Sequence, residues 1–451
     1  MQQDFEWRQA CTLWLMWRAI KYRPDPRFAS GQASTEPRQS SNCNHARLTS
    51  CRDLEYPLVP GHGQWLEQYP KDRHLTRKVS SVKALLRSAV LLVCGFVATS
   101  TAVAGDRDHD EFDAVRPFTI AVIGDWPYNQ RLLDNAALLI NSVNTDRDVS
   151  LVVHVGDIHS GSMPCTSADI LPPIPTSVPG WNQGIYFQFQ QFQAPLVYTP
   201  GDNEWTDCHK SKESSSGDPL KELASVRGLF FSRPGITLGL REREVLSQAN
   251  HFDPAFPADA QFVENVMWEE SKVVFVTVNM PGSNNDTLPW TGVFANPGAQ
   301  DLEVAERTAA DIRWLERAFK EAEDRHAKAV VVALQADMWD PAAVASGGDG
   351  LDRYRPFVQK LADLSVAYGR PVLLFNGDSH LFEVDQPLAN PASATGMIQG
   401  TQAVPNLTRI TVQGSTNKPA EWLRLTIDPR KRQPFSWKNV LYCNDPLTSC
   451  Q

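Results

Sequence analysis

The chain predicts a layered α/β fold whose site lies at the carboxyl ends of its strands. Two observations carry this. From Phe118 onward, short runs rich in Val, Ile and Phe alternate with longer amphipathic stretches. Four of the seven Gly-Asp dipeptides close such runs, and α/β sheets collect their sites outside the carboxyl ends of strands.

The elements follow from length and period. Phe118–Ile123, Leu151–Val155, Pro195–Thr199, Val273–Val278, Ala329–Leu334 and Pro371–Phe375 are short and near-continuously apolar, as strands buried on both faces are. Leu407–Gln413 and Glu421–Ile427 extend the series. Arg131–Asn144, Asp301–Asp324 and Asp352–Tyr368 read as helices. In the second, Leu302, Ala305, Ala309, Ile312, Leu315 and Phe319 recur at helical spacing. Two polar stretches, 160–184 and the start of 206–260, interrupt the alternation as substrate-shaping insertions.

The charge is uneven. The chain of 451 residues carries a net charge of -9, yet residues 1–104 hold 14 Lys and Arg against 8 Asp and Glu. The acidic remainder gives no electrostatic reason to bind a nucleic-acid backbone. Lys78, Lys83 and Arg87 precede the apolar run Ser88–Val97, and Ala102-Val103-Ala104 follows. That order is the pattern of a cleavable secretory signal over 79–104. The run is too short for a comfortable membrane span, so no span is expected after cleavage. Residues 1–78 then read as a poorly structured extension or a start assigned too early. The body, 105–451, is expected to be secreted or periplasmic. Its four cysteines suit disulfides, with Cys165–Cys208 and Cys443–Cys450 preferred among three connectivities.

The chemistry concentrates at Gly124-Asp125, Gly156-Asp157, Gly201-Asp202 and Gly377-Asp378, each closing an apolar run. Four carboxylates at one sheet edge repel one another in a partly desolvated cleft. A bound cation relieves this by supplying opposite charge and accepting oxygen ligands. His380, two residues past Asp378, adds a nitrogen donor.

The order and spacing of these motifs resemble the calcineurin-like metallophosphoesterase superfamily, which includes the purple acid phosphatases, over Phe118–Ile427. The matching stretches are Asp125-Trp126-Pro127, Gly156-Asp157, Gly201-Asp202-Asn203-Glu204, Gln335 and Gly377-Asp378-Ser379-His380. The resemblance implies an α/β/β/α sandwich and hydrolysis of a phosphoric ester by a metal-bound hydroxide. It implies that Asp157 bridges two metals, that Asp125 and His380 complete one, and that Asp202, Asp378 and Gln335 complete the other.

The sequence departs from the family pattern in one direction. Pro127, Asn203, Gln335 and Asp378 stand where the family has histidines, and Asp202 replaces an asparagine. Oxygen donors replace imidazoles, so one or two ions of Mg²⁺, Mn²⁺ or Ca²⁺ are favoured over Zn²⁺, with iron admissible. With the family's leaving-group His replaced by Asn203, His159 and Glu204 become the candidates for that role. The expected substrate is a phosphorylated small molecule or macromolecule; oligomeric state is left open. Two other readings stand beside hydrolysis. One is a domain that binds metal or a phosphorylated ligand without turnover. The other is a serine esterase using Ser379.

Overall fold

A computed structural model describes residues 115–165 and 180–450, all within one compact unit, 101–451. The expected signal segment, the N-terminal extension and most of the 160–184 insertion lie outside the described residues. The architecture is mixed α/β, with two mixed sheets and helices.

The first sheet holds β1 (Phe118–Ile123), β2 (Val149–His154), β3 (Leu196–Tyr198), β11 (Ala420–Ile427) and β12 (Phe435–Cys443). Its order is β12-β11-β1-β2-β3, parallel from β1 to β3 and antiparallel at β11 and β12. The second holds β4 (Leu246–Ser247), β5 (Val266–Glu270), β6 (Val273–Thr277), β7 (Ala329–Ala333), β8 (Val372–Asn376), β9 (Glu383–Asp385) and β10 (Leu407–Thr411). Its order is β4-β5-β6-β7-β8-β10-β9, with β6, β7, β8 and β10 parallel.

Alternation along the strands divides the core. Ile120, Val122, Leu151 and Val153 of one sheet pack with Phe275, Val331, Leu373 and Ile410 of the other. The opposite faces take helices. Ala121, Val152 and Tyr198 pack with α1 (Ala136–Thr145), α2 (Trp181–Phe189) and α3 (Pro219–Phe230). Val274, Val332 and Leu374 pack with α4 (Pro297–Asp324) and α5 (Arg355–Tyr368).

Local chemistry sets the helix ends. Asn296 caps α4 through Ala299 N with Pro297 in its first turn, so the helix begins before the expected Asp301. The expected helix 131–144 is instead two, broken at Asn135, whose side-chain amide and backbone N–H both take Arg131 O. Disulfides join Cys165 to Cys208 and Cys443 to Cys450, the preferred pairing. Among the described residues, no helix is long and apolar enough to cross a membrane.

Candidate metal centre

The loops leaving β1, β2, β3, β7 and β8 meet. Asp125, Asp157 and Asp378 sit at positive φ of 50°, 58° and 71°, as does His380 at 66°. Non-glycine residues held there cost free energy and cluster at functional sites. The glycines before the aspartates act mostly through close approach. A Cβ on Gly201 would lie 2.0 Å from Asp157 Oδ1, and one on Gly377 would lie 2.6 Å from Asp125 Oδ2. Only Gly156, at φ +96°, also needs the left-handed conformation. Gly201 and Gly377 thus let their strand ends press against a carboxylate from another strand, whereas Gly124 abuts Val155 and Gly156 abuts Gln335.

Tyr128 lies at the centre of the first group. Its hydroxyl donates to Asp157 Oδ2 at 2.6 Å and lies 3.1 Å from Asp125 Oδ1 and 3.0 Å from His380 Nε2. Asn203 Nδ2 donates to Asp157 Oδ2 at 2.9 Å and to the Tyr128 oxygen at 3.2 Å. His380 Nε2 is 3.3 Å from Asp125 Oδ1. Ligand atoms of Asp125, Asp157 and His380 all fall within 4.8 Å of one another, so this trio could hold a metal ion.

Asp202, Asp378 and Gln335 form a second group around Gly282, on the loop after β6. Gln335 Nε2 donates to Asp202 Oδ1 at 3.1 Å, and Gln335 Oε1 accepts from Gly282 N. Ser283 Oγ donates to Asp202 Oδ2 at 2.7 Å. Asp378 Oδ2 accepts from Asp337 N at 3.1 Å, and Asp378 N donates to Asp125 Oδ1, joining the two groups.

Burial, then repulsion from Asp202, Glu204, Asp125 and Asp378, pushes Asp157 well above the usual carboxylate range. Burial and Asp202 do the same to Asp378. Asp202 is raised by burial and by Asp207. Burial alone would depress His380, but the hydrogen bond and charge of Asp125 raise it instead. Asp125 Oδ2 is buried and has no protein partner. Crowded, desolvated carboxylates with an orphaned oxygen and hard oxygen and nitrogen donors fit a divalent cation.

The other residues that flank the motifs lie outside these two groups. His159 is buried, its Nε2 has no partner, and burial lowers it to about 4. It is therefore neutral at pH 7 and holds no imidazolium proton for a leaving group. Glu204 turns away from the cleft, accepting from Ile158 N and Tyr198 OH, and burial raises it to about 7. His154 is a satisfied core residue, bonded to Trp126 O and Gly156 N. Trp126, Trp205 and Trp339 are buried packing under the loops rather than an open platform. Ser379 donates to Asp337 Oδ2 at 2.7 Å, whereas His380 faces Tyr128 and Asp125, so these three form no triad.

Sequence reasoning missed the polar supports. Asp337 pairs with Arg409 at 2.5 Å, and Arg409 also binds Glu383 and Asp385. Asp207 holds Lys210 and Lys212. Tyr128 was legible only as an aromatic three residues beyond Asp125. A cavity of about 550 Å³ at the β4–β5 edge, lined by Ile236, Arg243, Trp268 and Arg325, shares no residue with this centre.

No family model matches the chain, and no curated protein does. Among solved structures it is similar to one described as GAP50, the anchor in the inner membrane complex of Plasmodium. Identity is 11%, the TM-score is 0.36, and the match covers 72% of this chain and 85% of that one.

Proposed function

We propose that this protein is a metal-dependent phosphoesterase with a layered sandwich of the metallophosphoesterase type. The observation that carries the reading is the convergence of Asp125, Asp157, Asp202, Asp378 and His380 from four loops onto two adjacent groups. Asp125, Asp157 and His380 would hold one cation, with the Tyr128 oxygen beside them. Asp202 and Asp378 would hold a second across Gly282. Bound divalent cations lower the pKa of water and offset charge on a phosphoryl group.

The protein's own groups fix the arrangement. Asn203 bonds Asp157 and orients it toward the Tyr128 side. Ser283 and Gln335 hold the two oxygens of Asp202. In the net reaction, water oxygen bonds to phosphorus, the ester P–O bond breaks, and a water proton ends on the leaving oxygen. The abundance of oxygen donors favours Mg²⁺, Mn²⁺ or Ca²⁺ over Zn²⁺.

The test is metal analysis of the purified mature domain, with p-nitrophenyl phosphate and bis-p-nitrophenyl phosphate assayed across these four ions. Chelator-sensitive hydrolysis that vanishes in Asp157→Asn is the expected result. Bound metal without turnover would favour a binding protein instead. Hydrolysis blocked by a serine-reactive phosphonate but not by a chelator would overturn the reading.

A further inference from the structure

We propose that Lys210 and Lys212 form an anion subsite beside the carboxylate centre, suited to the phosphoryl oxygens of a phosphomonoester dianion. This rests on the hydrolase reading above and names the substrate class for it.

The segment after Asp202 folds into two short 3-10 turns, Thr206–His209 and Ser211–Glu213. It is fixed at both sides. The Cys165–Cys208 disulfide holds one, and Thr291 N donates to His209 Nδ1 at 3.0 Å on the other. The two lysines are therefore carried on an anchored element.

Both ammonium groups converge on Asp207, at 2.5 Å from Lys210 and 3.0 Å from Lys212. Asp207 is buried, so one lysine would suffice to compensate it. Lys212 also faces Asp202 and Glu213. With Asp202 given to the proposed cation and burial raising Glu213 to about 9, so that it stays protonated, the second lysine leaves one positive charge unmatched. Lys210 also touches a residue that touches the centre, and Lys212 faces one across a gap. Lys210 Nζ donates to Ser283 Oγ at 2.8 Å, and Ser283 Oγ lies 2.7 Å from Asp202 Oδ2. A Cβ on Gly161 would lie 2.8 Å from Lys212 Nζ and 2.5 Å from Asn203 Oδ1, so those two groups face one gap. Asn203 in turn bonds Asp157.

The lysines remain accessible. The Lys210 side chain is 20% exposed and that of Lys212 52% exposed. An ammonium has three donors, so neither is exhausted by Asp207. A monoester dianion carries two charges on terminal oxygens, whereas a diester carries one. The excess charge favours the former through charge-assisted hydrogen bonds.

The test is calorimetric binding of inorganic phosphate to the mature protein in manganese buffer. Lys212→Gln leaves the Lys210–Asp207 pair intact. The triple variant D207N/K210Q/K212Q removes both lysines without stranding a buried carboxylate. Phosphate should bind roughly tenfold more weakly in the triple variant and by a smaller factor in K212Q, at unchanged metal content. The ratio of kcat/KM for p-nitrophenyl phosphate over bis-p-nitrophenyl phosphate should fall in parallel. Phosphate affinity unchanged in both variants, or no phosphate binding by the wild type, overturns the subsite. Lysine-dependent phosphate binding without any hydrolysis supports the subsite and removes the hydrolase reading. Hydrolysis with lysine-independent phosphate binding does the reverse.

Discussion

Asp202 and Asp378 aim their carboxylates at one gap beneath Gly282. A Cβ built on that glycine would lie 2.9 Å from Asp202 Oδ2 and 2.8 Å from Asp378 Oδ1. The two residues are far apart in sequence and meet because β3 and β8, in different sheets, end on the same side of the molecule.

Gly282→Ala should therefore fill the space in which the second cation would bind. The methyl group is small, and overpacking of this kind costs ~1–3 kcal/mol. The domain should still fold, lose up to one equivalent of divalent metal and turn over at least about tenfold more slowly. Metal analysis and circular dichroism on the same sample check this. Unchanged metal content with unchanged turnover would show that the Asp202–Asp378 gap holds no ion.

Tyr128 should matter through its oxygen rather than its ring. Burial, then the charges of Asp157 and Asp125, keep the phenol pKa well above its ordinary value, so the hydroxyl retains its proton in the metal-free protein. Tyr128→Phe removes the donor to Asp157 and the contacts to Asp125 and His380. Loss of such a supporting group typically costs about 10–100-fold in metal affinity or activity. Competition with a fluorescent chelator measures the affinity directly. An affinity within twofold of wild type would reduce Tyr128 to packing.

The central strands were legible because burial on both faces leaves a continuous apolar run. Phe118–Ile123 was read at its observed ends, and β6, β7 and β8 to within a residue. Edge elements carry no such run. β9 reads Glu-Val-Asp, and β12 breaks its apolar residues with Ser436, Lys438 and Asn439 and leaves Trp437 and Leu441 exposed. The site divides in the same way. The aspartates announce themselves because each ends a strand. Arg409 and Asp337 do not, since their partners come from other elements, and Arg307 acts on Asn279 and Asn285 outside its own helix. His159 and Glu204 follow motif aspartates closely enough to suggest chemistry, but only burial shows that they face inward.

Arg307 should be a structural keystone for the loop that carries Gly282. It is buried on α4 and donates to Asn279 O, to Asn285 Oδ1 at 2.6 Å and to Asn285 O, while pairing with Glu303. Its guanidinium also lies 5.6 Å from the Trp205 ring. The loop needs such a clamp, because Ser283, Asn284, Asn285 and Asp286 all hold φ between 50° and 60°. Arg307→Met should cost about 3–5 kcal/mol, the usual penalty for stranding a buried partner charge. Arg307→Lys should recover only part, since lysine lacks the planar fork. Denaturant titration gives both numbers; a loss below about 1 kcal/mol in the Met variant would refute the role.

The metal-free protein should lose stability as pH rises, and Glu204 makes this separable from the site. Burial raises Glu204 to about 7 in the folded state, against an ordinary value of 4.5. The folded protein thus binds more protons than the unfolded chain between those values. Its stabilising contribution is complete below about pH 4.5 and is lost as pH climbs through about 7. Each such group contributes a slope of at most ~1.4 kcal/mol per pH unit. Asp157, Asp202 and Asp378 are shifted upward as well, so they act with the same sign. A cation reverses the balance for those three, because it binds the deprotonated carboxylates of the folded state alone. Thermal unfolding in EDTA should therefore fall from pH 5 to pH 8, and added Mn²⁺ should raise the midpoint most at the alkaline end. Glu204→Gln keeps an oxygen acceptor for Ile158 N, so it should reduce the EDTA slope without abolishing it and leave the Mn²⁺ gain in place. An EDTA slope that is flat or rising would contradict the buried protonated carboxylates. A Glu204→Gln variant that loses the Mn²⁺ gain would instead move Glu204 into the metal centre.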